Sequence, residues 1–191
     1  YNLDNLSYEI NRIVTLNQEF ANKVNLYMSQ DKEPGEAYNG ETEVCHYLEL
    51  LRDKVGFDKI KEAVKNPLTG KKIAAYYGCM LLRPGKVMNF DDPENPTIME
   101  EFIKALGAES VVYPARNECC GGYVVIEDEK SAEKKSRIVT DSAKNHGAEM
   151  IVTACPLCRY NLLKNGSDIP VVYFTELLAE ALGVKEDNDA E

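Results

Sequence analysis

Apolar positions follow two different rhythms along this chain. Through residues 6–30, LSYEINRIVTLNQEFANKVNLYMSQ, the residues Leu6, Ile10, Ile13, Leu16, Phe20, Val24 and Tyr27 recur at three- and four-residue intervals. That spacing places them on one side of a helix and predicts a single long amphipathic one. Residues 31–43, DKEPGEAYNGETE, break the rhythm with a proline, two glycines and several acids, and read as a linker. Two shorter helices are expected next, over about 44–55 and 57–65, the second stopped at Asn66-Pro67.

From residue 71 the rhythm changes. Four short apolar runs appear: KIAAYYG (72–78), SVVYP (110–114), MIVTA (150–154) and IPVVYF (169–174). Between and after them lie helical stretches at 97–107, 129–147 and 175–183, and CPLCRYNLLKNG (155–166) reads as a loop running into a helix. Thr175 is expected to cap the last helix alone, because Leu178 stands where a capping box needs Glu or Gln. Short apolar strands separated by helical crossovers are the pattern of a parallel sheet covered on both faces. The expected fold is therefore α/β: a four-stranded, mainly parallel sheet flanked by helices, Rossmann-like, with an N-terminal helical extension.

Composition narrows the function. The 191 residues are 44% apolar and 28% charged, enough for a core that needs no disulfides. A net charge of −10 argues against a nucleic-acid partner, which calls for clustered Lys and Arg. No apolar run approaches the roughly 20 residues of a membrane helix, and there is no secretory signal pattern. No direct membrane insertion and a cytoplasmic location are expected.

Six cysteines are unevenly placed. Cys79 follows the first apolar run, Cys119 and Cys120 the second, Cys155 and Cys158 the third. The carboxyl ends of parallel strands share one edge of the sheet, so these five thiols are expected to converge. Convergent thiolates suit a soft metal. A structural zinc takes four ligands, and iron–sulfur clusters are usually held by four cysteines. Five exceed either. Adjacent Cys119 and Cys120 serve two neighbouring irons more easily than one small ion, which favours a cluster. Gly121 and Gly122 are expected to keep side chains out of its way. Two other readings stay open. One is a structural zinc site in a partner-binding module. The other is a metal-free thiol–disulfide enzyme using Cys155 and Cys158, with Arg159 the only basic residue beside them. Cys45, within VCHYLELL, is expected to be structural and half-buried. His46 and His146 lack ligand spacing to the cysteines and are expected to be structural too.

The order Cys79, Cys119-Cys120-Gly121, Cys155-Pro156-Leu157-Cys158 resembles the cysteine-rich CCG-domain family. With "HYLELLRDKVG", "GKKIAAYYGCMLLRP", "ECCGG" and "CPLC", about residues 38–183 are similar to the C-terminal half of heterodisulfide reductase B subunits. That resemblance implies an oxidoreductase with a noncubane [4Fe-4S] cluster held by Cys79, Cys119, Cys120, Cys155 and Cys158. In an isolated, air-exposed chain the cluster would be absent or replaced by zinc. It further implies a small disulfide substrate, that of coenzymes M and B in methanogenesis, and the other subunits of such a complex as partners. Bacterial relatives imply an alternative, electron transfer linked to quinone or fumarate. The family has two such domains in tandem. Tyr1-Asn2-Leu3 repeats Tyr160-Asn161-Leu162 of the last cysteine loop. On that basis residues 1–37 are expected to be a helix and linker joining a first, missing CCG domain to an iron–sulfur domain at 38–191.

Overall fold

In a computed structural model that describes residues 11–31, 33 and 35–184, the four apolar runs form the strands of one sheet. They are β1 (Lys72–Tyr76), β2 (Glu109–Val111), β3 (Met150–Thr153) and β4 (Val171–Tyr173). Every pairing is parallel and the order is β2-β1-β3-β4. The chain therefore steps from β1 to one side, then returns past β1 to place β3 and β4 on the other. The direction reverses between β1 and β3, and ligands of open parallel sheets bind at such a reversal, beyond the strands' carboxyl ends.

The helices are α1 (Gln18–Met28), α2 (Tyr47–Glu49), which runs on as a π-helical segment Leu50–Val55, α3 (Phe57–Ala63), α4 (Gly85–Met88), α5 (Ile98–Ala105), α6 (Glu129–Asn145), α7 (Pro156–Asn165) and α8 (Phe174–Leu182). Strand residues alternate between two cores because successive side chains point to opposite faces. Ile73, Ala75 and Val152 pack with Met99, Phe102 and Leu106 of the α5 region and with Phe174 and Leu177 of α8. Ala74, Tyr76, Ile151 and Val171 pack on the other face with Val139 and Ala143 of α6 and Leu162 of α7. A sheet buried on both faces explains why its strands read as continuous apolar runs.

The expected single N-terminal helix is instead interrupted. Residues 11–16 are helical, and Asn17 then leaves the helix and caps α1, accepting a hydrogen bond from the Phe20 amide at 3.0 Å. Asparagine competes with the backbone inside a helix and does better at its start. Residues 6–10 and the Tyr1-Asn2-Leu3 repeat lie outside the described residues. The linker is tied back onto α1, since the Tyr38 amide donates to Asn25 at 2.7 Å and Asn25 donates to the Tyr38 carbonyl at 2.8 Å.

Two local expectations shift by a turn or less, each for a capping reason. Cys45 is exposed rather than half-buried, because the helix begins only at Tyr47, after His46 as its cap. His46 itself is structural as expected: its Nδ1 accepts from the Leu48 amide at 3.1 Å, and its ring packs on Phe90 and Phe174. The last helix starts at Phe174, so its third position is Glu176 rather than Leu178. That carboxylate accepts from the Tyr173 amide at 2.9 Å, so Thr175 is not the cap. Among the described residues no helix is long and apolar enough to cross a membrane.

Candidate metal centre

Three strand ends build the site. After β1, Gly78 turns with φ +66°, and a Cβ there would lie 3.0 Å from the Cys158 sulfur, so glycine serves both the turn and the close approach. Cys79 follows. After β2 the chain enters a 3-10 turn, Pro114–Asn117, then reaches Cys119 and Cys120. Two hydrogen bonds lash these loops together. The Tyr77 amide donates to the Arg116 carbonyl at 2.8 Å, and the Tyr76 hydroxyl donates to the Glu118 carbonyl at 2.7 Å. After β3, Cys155 caps α7 with Pro156 in the first turn, so Cys158 stands on the helix and not in a loop.

The five cysteines line one cavity of about 440 Å³. Cys120 and Cys158 are buried with their sulfurs 3.6 Å apart; Cys79, Cys119 and Cys155 are half-buried. The remaining wall is mostly apolar, with Met80, Leu81, Tyr123 and Leu157. Among the described residues, no three His, Cys, Asp or Glu side chains gather around a single metal-ion position; the sulfurs ring the cavity. Cys45, His46 and His146 are not among the residues lining it. The His146 ring is instead 2.7 Å from the Ser142 carbonyl on α6.

The thiols hydrogen-bond to one another, and this splits their acidities. A hydrogen bond from Cys79 brings Cys119 down to about 6, against the opposing effect of burial and with help from the Gly121 amide at 3.3 Å. The same bond pushes Cys79 up. Cys155 falls to about 6, through Cys158 and then the amides of Cys158 and Leu157 at the start of α7. Cys120 falls to about 7, through Cys158 first and then the Gly122 amide and Asn161. Cys158, beside Cys120 and Cys155, is pushed up by its hydrogen bonds with those two sulfurs. Cys119, Cys120 and Cys155 are thus favoured as anions, first by a neighbouring thiol and then by backbone amides.

The two glycines divide their roles. Gly121 has φ +83°, and a Cβ there would meet the Ala132 backbone of α6 at 2.9 Å. It makes room for the helix and not, as expected, for a bound core. Gly122 is the one whose Cβ would face Leu157 at 3.1 Å and the Cys120 sulfur at 3.4 Å. Gly121→Ala is expected to cost about 1–2 kcal/mol from the left-handed backbone alone, with the α6 contact adding to it; urea denaturation of the two proteins measures the difference.

Residues that carry no signal in the sequence support the loops. Glu100 of α5 and Arg116 form a buried ion pair at 3.2 Å. The Tyr77 hydroxyl donates to the Glu100 carboxylate and accepts from the Met99 amide at 2.9 Å. Burial holds Glu100 above the usual carboxylate range. Arg116 also reaches Asn95 at 2.5 Å. Asn161 and Ser136, on α7 and α6, both bond the Cys120 carbonyl.

The chain is similar to known proteins over most of its length. The family model of the cysteine-rich domain CCG matches residues 73–163. The chain is 36% identical over 168 residues to the B subunit of the ferredoxin/F(420)H(2)-dependent CoB-CoM heterodisulfide reductase of Methanosarcina acetivorans, covering 82% of this chain and 56% of that one. It is 36% identical over 158 residues to the 8-methylmenaquinol:fumarate reductase membrane anchor subunit of Wolinella succinogenes, covering 78% and 55%. A protein of Archaeoglobus profundus described as like the heterodisulfide reductase B subunit is 31% identical, with 87% and 60% covered. The chain thus spans little more than half the length of these relatives.

Proposed function

As residues 73–163 belong to the cysteine-rich CCG-domain family, we propose that this chain is an iron–sulfur electron-transfer domain of a protein like the heterodisulfide reductase B subunits. One observation carries the reading. Five sulfurs from three strand ends line a single cavity at the sheet's switch point. That donor set fits a multi-iron cluster, because it offers more thiolates than one tetrahedral ion uses and spreads them round a wall.

On this reading Cys79, Cys119, Cys120, Cys155 and Cys158 hold a noncubane [4Fe-4S] cluster, which supplies single electrons when bound. The protein's own work is local. Amides of Gly121, Gly122, Leu157 and Cys158 stabilise the ligand sulfurs, and Met80, Leu81, Tyr123 and Leu157 limit water at the mouth. Cleaving a small disulfide takes two electrons and two protons and releases two thiols. Residues 38–191 form the iron–sulfur domain and residues 1–37 its connection to a preceding CCG domain, in keeping with the greater length of the relatives. Other subunits of such a complex supply the electrons.

A second acceptor class has specific support, since the Wolinella relative is as similar as the Methanosarcina one and is described as a quinol:fumarate reductase subunit. The two are separated by mixing the anaerobically iron-loaded, dithionite-reduced chain with a small alkyl disulfide or with a naphthoquinone. Disulfide reduction predicts two thiols released per disulfide and bleaching reversed by the disulfide. Reoxidation by the quinone alone would transfer the assignment to quinone-linked electron transfer.

A further inference from the structure

Asn161 is 1% exposed on α7, where Cys158, Leu162 and Asn165 are buried beside it. Asparagine is a poor residue for a helix interior, and a buried amide is costly unless its hydrogen bonds are made. Here they are made to a ligand loop. Its Nδ2 donates to the Cys120 carbonyl at 2.5 Å and to the Ser136 hydroxyl at 3.1 Å. Its Oδ1 accepts from Asn165, one turn on, at 2.6 Å. The Ser136 hydroxyl donates to the same Cys120 carbonyl at 2.9 Å. That carbonyl is therefore held by two helices at once.

Such a hold matters at this place in the chain. Adjacent cysteines share a backbone, so turning one peptide plane moves one sulfur against the other. The next two residues, Gly121 and Gly122, offer the least conformational resistance of any residue type. Within the loop, the N–H of the Cys120–Gly121 peptide, on Gly121, reaches the Cys119 sulfur at 3.3 Å; its carbonyl end is set from outside by Asn161 and Ser136. Asn161 also lies one turn past Cys158 on α7, and the Cys158 sulfur is 3.6 Å from that of Cys120. One side chain thus fixes a cysteine of a loop relative to a cysteine of a helix.

We propose that Asn161 is the positioning residue for Cys120, locking the Cys119–Cys120 loop onto the helix that carries Cys158. The effect on a cluster rests on the function proposed above; the hold on the loop does not. The test therefore uses the reduced, metal-free chain first. Site-resolved alkylation with iodoacetamide, followed by mass spectrometry, gives a rate for each cysteine. Cys120 is 4% exposed and is expected to react slowly in the parent chain. In Asn161→Leu, which keeps bulk and removes the donors, its rate is expected to rise several-fold relative to Cys155. Ser136→Ala, with one carbonyl bond lost and Asn161 in place, gives a smaller rise. An equal rise at all the cysteines, or an unchanged Cys120 rate in a folded Asn161→Leu, would overturn the proposal. The iron-loaded chain gives the second readout. Release of the Cys120 peptide from α7 is expected to shift the midpoint potential in Asn161→Leu and to move it less in Ser136→Ala. Equal potentials in the parent and Asn161→Leu would also overturn it. A selective Cys120 rise in a chain that takes up no iron would uphold the positioning role and refute the metal centre.

Discussion

Serine in place of Cys120 is expected to remove most of the iron that the chain takes up under anaerobic reconstitution, while Cys45→Ser loads like the parent. The substitution changes one atom, so the fold has little reason to respond; what is lost is a soft, ionisable ligand. Cys120 lines the cavity, buried and 3.6 Å from the Cys158 sulfur, with its backbone held by α6 and α7. Cys119→Ser is expected to behave in the same way, because its sulfur lines the same cavity and receives the Gly121 amide. Cys45 is an internal control: its thiol is exposed and is not among the residues lining that cavity. Iron content, checked against an unchanged circular dichroism spectrum, reads the result. Full iron in both variants would show that the paired cysteines are not ligands.

The largest stability effect is expected at Arg116. Its guanidinium is 3.2 Å from Glu100, and both side chains are almost wholly buried beside the Cys79 and Cys119 loops. Arg116→Met leaves the Glu100 carboxylate buried without its counter-charge, a change that costs about 3–5 kcal/mol in comparable cases. The double variant Arg116→Met, Glu100→Gln removes both charges and keeps a partner for the Tyr77 hydroxyl, so it is expected to recover much of that loss. A pH dependence follows. Burial already raises Glu100, and removing Arg116 raises it further. The folded single variant then holds its proton more tightly than the unfolded chain does, so its stability falls as pH rises through the carboxylate range and is highest at the acid end. Urea denaturation at several pH values reads both effects. A single variant as stable as the parent at neutral pH would show that this ion pair contributes nothing to the fold.

The convergence of Cys79, Cys119, Cys120, Cys155 and Cys158 was legible because it needs only two local facts. Each cysteine group follows an apolar run, and those runs are spaced by crossovers that force parallel pairing. The order β2-β1-β3-β4 was not legible, but the convergence does not depend on it, since carboxyl ends share an edge in any parallel order. Cys45 was misplaced because its exposure turns on a helix start two residues later, set by the His46 cap rather than by apolar spacing. Asn17 was missed for a related reason: the apolar stripe passes through it, and only the side-chain bond to the Phe20 amide reveals the break. The supports of the site were out of reach altogether. Arg116 with Glu100, and Asn161 with Ser136, are polar pairs between elements distant in sequence, and no periodicity marks them. Gly121 was read toward the cavity when the surface it accommodates is that of α6.

Whether five sulfurs on three loops hold one multi-iron cluster is decided by counting iron, acid-labile sulfide and zinc in the same anaerobically prepared sample of this chain. Electron paramagnetic resonance after one-electron reduction or oxidation completes the measurement. The expected result is about four irons and about four sulfides per chain, a paramagnetic cluster signal in one redox state, and negligible zinc. One zinc per chain with neither iron nor sulfide would contradict it.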